Sequence, residues 1–127
     1  MPSVGTAATG KRRPSMSEDA IHRAVIGHLN VRARKGCIYW HTPNGGARGK
    51  TEAARFVGLG VKAGIPDLVI IMGGEVYGLE LKADKGRVTP IQRSVHDQMR
   101  EAGATVAVAF GLDDALAQLL DWKVLKC

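Results

Sequence analysis

Apolar residues at Ile21, Ala24, Val25 and Leu29 recur at three-and-four spacing behind Ser15-Met16-Ser17-Glu18, a capping-box pattern, and predict a first helix over about residues 17–34. Glu18 lies on the same helical stripe as Ile21 and Val25, so it is expected either to face the body of the protein, where an acid needs a partner, or to serve only as a cap. The β-branched and aromatic run 37–41 stops at Pro43 and reads as a strand. From Thr42 to Gly64 the chain becomes Gly-rich and basic around a short helix near Thr51, the stretch best suited to face a ligand. Strand-like runs 67–72 and 75–82 flank Gly73-Gly74, a dipeptide made for a tight hairpin. Thr89-Pro90-Ile91-Gln92 repeats the capping-box pattern and opens a helix that Gly103 can end; a buried strand over 104–110 and a helix over about 113–120 follow. The order α, β, short α, β-hairpin, α, β, α predicts an α/β fold.

At 127 residues and 45% hydrophobic content, the chain suits one domain, expected over residues 15–127 behind a flexible basic tail, 1–14. No apolar run is long enough for a bilayer span and none follows Lys11-Arg12-Arg13 as in a secretory signal, so a cytoplasmic protein without a membrane partner is expected. Cys37 and Cys127 lack metal-ligand spacing and are expected to be reduced. A formal charge of +6 favours a polyanionic partner, since neutralising phosphates releases counterions, although basic proteins also arise for solubility alone.

Residues 44–51, Asn-Gly-Gly-Ala-Arg-Gly-Lys-Thr, nearly spell a phosphate-cradling P-loop. Asn44 stands where that loop requires Gly, and Gly45 comes one place late, so no nucleotide cofactor is expected. Arg48, Lys50, Arg55 and Lys62 read instead as contacts to a nucleic-acid backbone.

With Gly73-Gly74 as a two-residue turn, Met72 faces Glu75 and Asp67 faces Glu80. Opposed carboxylates repel, and the period of two puts Lys82 on their face, with Leu68, Ile70, Met72, Tyr77, Leu79 and Leu81 on the other. Two acids beside a lysine suit a hard cation such as Mg²⁺, with the ammonium free to orient a water or offset phosphoryl charge. The alternative is structural: Asp67 starts a turn after Pro66, and Glu80 with Lys82 forms a solvated strand end. His22, His28 and His41 show no ligand spacing; His96, one helical turn after Gln92, either faces the cleft or, the favoured reading, lies on the helix surface; and Trp40 and Trp122 read as core or interface residues.

Gly64-Ile65-Pro66-Asp67-Leu68 followed by Gly78-Leu79-Glu80-Leu81-Lys82 resembles the PD-(D/E)xK nuclease signature. With Glu18 in the first helix, Asn44-Gly45 and Gln92, the pattern resembles its VRR-NUC branch over residues 17–110. The resemblance implies a single restriction-endonuclease-like domain, a central mixed sheet flanked by helices with an α-β-β-β-α-β core. It implies Mg²⁺- or Mn²⁺-dependent hydrolysis of DNA, with Asp67 and Glu80 as metal ligands, Glu18 supporting them and Lys82 acting on the water. Gln92 is either part of that site or only the end of its capping box. Small relatives of this branch imply a homodimer acting on branched DNA such as four-way (Holliday) junctions. The competing expectation is a DNA-binding module that keeps the fold without catalysis.

Overall fold

A computed structural model describes residues 15–43 and 50–127. Helix α1 (Glu18–Arg32) leads into β1 (Cys37–His41), α2 (Lys50–Gly58), β2 (Leu68–Met72), β3 (Glu75–Lys82), α3 (Pro90–Glu101), β4 (Thr105–Phe110) and α4 (Leu112–Asp121). The strands form one four-stranded sheet in the order β1-β2-β3-β4. The first three are antiparallel neighbours, while β4 returns parallel to β3 through the α3 crossover. This is the mixed sheet flanked by helices that the element order and the family resemblance imply.

Period-two alternation divides the sheet. Leu68, Ile70, Leu79 and Leu81 are buried in one core with Ile21, Val25 and Leu29 of α1 and Ala115 and Leu119 of α4. The opposite face carries Val69, Gly78, Glu80 and Lys82 under α3. Gly73 and Gly74 both have positive φ, 59° and 78°, as a type I′ turn requires, and Met72 pairs with Glu75. The expected register is therefore the observed one.

Several local expectations change. The first helix begins one residue after its cap Ser17, whose side chain accepts from Ala20 N–H, while Ser15 Oγ bonds Asp84; the Ser15–Glu18 box does not form. It ends at Arg32 because Ala33 turns extended and bridges Leu125. That bridge brings Val124 and Leu125 into the core, burial unsignalled by any periodic pattern. Asp67 lies one residue outside β2, its carbonyl accepting Thr42 N–H at 2.7 Å. Trp122 packs on Tyr77, with centroids 5.0 Å apart, whereas Trp40 is exposed. No helix among the described residues is long and apolar enough to cross a membrane.

Candidate active site

Two close approaches aim the acid that precedes β2. Gly64 sits at φ +87°, where a Cβ would lie 2.9 Å from Ile91 O, and a Cβ on Gly78 would lie 2.8 Å from Pro66 Cγ. Pro66 thus rests on the bare backbone of β3, and the loop delivers Asp67 beside Leu81, whose N–H donates to Asp67 Oδ2 at 2.9 Å.

Glu80 stands in the middle of β4's parallel partner, opposite Val108, and is 1% exposed. Its Oε2 accepts from Gln92 Nε2 at 3.2 Å and lies 3.7 Å from Lys82 Nζ. Gln92 fills both roles the sequence leaves open: Thr89 Oγ1 accepts its N–H, its Oε1 accepts Thr89 N–H, and its amide still reaches Glu80. Lys82 is itself buried, so its ammonium is held in a dry setting rather than in solvent.

His96 takes the cleft-facing of its two readings and not the favoured surface one. It is 2% exposed, and its Nε2 faces Glu80 Oε1 at 3.5 Å, long for a hydrogen bond; among the described residues neither atom has a hydrogen-bond partner. Gln92 and His96, one turn apart on α3, therefore address the two oxygens of one carboxylate. The stripe Gln92, Val95, His96, Met99 was the signal for this placement, since Val95 is buried and Met99 half-buried.

Burial, then the hydrogen bond to and the charge of Asp67, push the Glu80 carboxyl up to about 8, against the opposing pull of Lys82. At neutral pH the metal-free Glu80 carboxyl thus holds its proton. Burial, followed by Arg100, lowers the His96 imidazole; burial also lowers His22, against the pull of Asp67. Two adjoining carboxyl groups, of which Glu80 retains its proton and has a buried oxygen without a hydrogen-bond partner among the described residues, fit a hard divalent cation, which would replace that proton.

The raised carboxyl has a thermal signature. Between its ordinary value of 4.5 and about 8, the folded chain holds a proton that the unfolded chain releases, so this group's stabilisation is complete at low pH and is lost as pH rises. His22 and His96, both lowered, oppose it only below their ordinary 6.5. In EDTA, the melting temperature of the wild type is expected to fall from pH 6.5 to 8 more steeply than that of Glu80→Gln. Parallel curves would contradict the raised Glu80 carboxyl.

A cavity of about 800 Å³ opens beside Asp67, lined by Glu18, His22, Arg23, Asn30 and His41. Glu18 is exposed at its rim instead of pointing into the body, because it occupies the first turn, ahead of the buried row that starts at Ile21. Among the described residues, no three His, Cys, Asp or Glu side chains are gathered closely enough to hold an ion. The structure brings Asp67, Glu80, Lys82 and Gln92 together and leaves Glu18 at the edge. Asn44 and Arg48, with most of the P-loop-like segment, lie outside the described residues; Lys50 opens α2, and Arg55 and Lys62 are exposed.

No sequence-family profile and no curated protein matches the chain. Among solved structures, it is similar to a "VRR_NUC domain protein" at 27% identity and TM-score 0.73, covering 90% of this chain and 94% of that one. A second, "VRR_NUC domain", is 18% identical with TM-score 0.56 over 84% of this chain and 96% of the other, a likeness of fold.

Proposed function

The chain carries a VRR-NUC domain, a nuclease-family domain, and from that premise we propose that it is a Mg²⁺- or Mn²⁺-dependent DNA endonuclease using Asp67, Glu80 and Lys82. The observation that carries the reading is the buried Asp67–Glu80 pair with Lys82 Nζ 3.7 Å from Glu80 Oε2. In this reading Asp67 and Glu80 hold the ion, and Glu18 supports it from the cavity rim. When bound, the ion supplies charge to a phosphoryl oxygen and acidity to a water. Gln92 holds the Glu80 carboxylate, with His96 beside its other oxygen, and the Lys82 ammonium orients the attacking water and offsets phosphoryl charge. We place the activity in the cytoplasm, where the free thiols of Cys37 and Cys127 persist.

The formal charge of +6 supports DNA as partner, with Asn44, Arg48, Lys50, Arg55 and Lys62 as its backbone contacts. Arg55→Ala and Lys62→Ala are each expected to weaken binding across sequences and to reduce the slope of log affinity against log salt by about one. An unchanged slope, measured by fluorescence anisotropy, would remove this stretch from the DNA face.

The substrate proposed is branched DNA, cut by a homodimer. Twofold pairing presents equivalent centres to equivalent junction arms, and a 13.5 kDa chain alone offers little surface for reading a branch. Exposed Ile38, Trp40 and Ile71, neighbours on one face of β1 and β2, supply apolar surface for such pairing. Light scattering is expected to give twice the monomer mass, and a symmetrically labelled four-way junction is expected to be nicked on opposing strands ahead of linear duplex. A monomer that cuts linear ends equally well would overturn this substrate and leave the metal nuclease standing.

A further inference from the structure

His22 on α1 and His41 at the end of β1 are nineteen positions apart, yet they meet beside Asp67. Their rings cross edge to face, with centroids 4.7 Å apart and 89° between planes, and their Nδ1 atoms are 3.2 Å apart. His41 Nδ1 also lies 3.0 Å from the backbone carbonyl oxygen of Asp67. A carbonyl oxygen only accepts, so His41 Nδ1 bears the hydrogen. His22 Nδ1 must then be bare, because a second proton there would meet the first head-on. That excludes both the Nδ1–H tautomer of His22 and its cation. The one remaining state puts the His22 proton on Nε2, the atom 3.7 Å from Asp67 Oδ2.

We infer that His22 and His41 are positioning residues that fix Asp67 through a relay of contacts: His41 Nδ1–H donates to its carbonyl, the two Nδ1 atoms meet, and His22 Nε2–H faces Oδ2 at 3.7 Å, an electrostatic contact too long for a hydrogen bond. Leu81 N–H donates to the same oxygen from β3 at 2.9 Å, so the carboxylate is hydrogen-bonded from the sheet on one side and faced by the His22 N–H of α1 on the other. The relay asks neither imidazole to change protonation in the reaction. It gives Asp67 what Gln92 and His96 give Glu80, with donors drawn from different elements. The inference rests on the reading of Asp67 as a cation ligand, since an outer shell that orients a ligand matters most when that ligand is occupied. Loss of such partners typically lowers metal affinity about 10–100-fold.

Two measurements test it on the full chain. Nitrogen-15 NMR of the metal-free wild type is expected to show His22 protonated at Nε2 and His41 at Nδ1. A proton on His22 Nδ1 overturns the relay without any variant being made. Mn²⁺ binding, followed by electron paramagnetic resonance, is expected to weaken about 10–100-fold in His22→Phe and in His41→Phe. The double variant should be no weaker than either single one, because both cut the same chain of contacts. His22→Gln, whose amide nitrogen replaces Nε2, and His41→Asn, whose amide replaces Nδ1, are expected to restore affinity. A loss of binding that these conservative variants share with the Phe variants would overturn the positioning role. Asp67→Asn separates the two levels: if it binds Mn²⁺ as the wild type does, the cation reading falls and the relay with it. If Asp67→Asn loses Mn²⁺ while both Phe variants keep it, the relay alone is wrong.

Discussion

Asp67→Asn and Glu80→Gln are each expected to lower DNA cleavage by roughly a thousandfold or more, the scale of losing a principal electrostatic contribution at a reacting phosphoryl group. Either change removes one of two anionic groups that jointly suit a divalent ion, and the survivor cannot replace it from across the hairpin. The losses should be non-additive, the double variant being hardly worse than either single one, because both act through one ion. Folding should survive. Glu80→Gln keeps an amide oxygen for Gln92 and removes the buried carboxyl that burial first, and Asp67 after it, push up to about 8. A variant that cuts like the wild type would break the assignment, and one that melts far earlier in EDTA would make the pair structural.

Lys82→Ala is expected to depress single-turnover cleavage in Mg²⁺ by about 10²–10³-fold while leaving DNA affinity in Ca²⁺ nearly unchanged. Its amine lies beside Glu80 and is buried, so it is poorly placed to serve as one more solvent-exposed phosphate contact. Rate and affinity falling together would make it such a contact. The separation of the two effects distinguishes a group acting on the reacting centre from one that only holds the backbone.

The parts of this site legible in the sequence are those governed by local rules. Gly73-Gly74 sets a turn, the turn sets the register, and the register puts Asp67, Glu80 and Lys82 on one face. The Thr89–Gln92 box located the start of α3, and Gln92 proved able to cap the helix and reach Glu80 at once. What the sequence concealed depends on depth and on distant contacts. His96 looks like a surface residue until α3 is laid on the sheet, which puts it over Glu80. Glu18 shares the stripe of Ile21, but it lies in the first turn, ahead of the buried row that starts at Ile21, and is exposed. His22 and His41 have no spacing to betray them, since an α1 residue and a β1 residue meet only after both pack around Asp67.

The most direct test of the central claim is cleavage itself: labelled four-way, flap and linear DNA incubated with the wild-type chain in Mg²⁺ and, in parallel, in EDTA. Cleavage in Mg²⁺ that stops in EDTA, strongest on the four-way substrate, is the predicted result. DNA that is bound but left intact in Mg²⁺ and in Mn²⁺ would contradict it, and would make the chain a DNA-binding module on a nuclease fold.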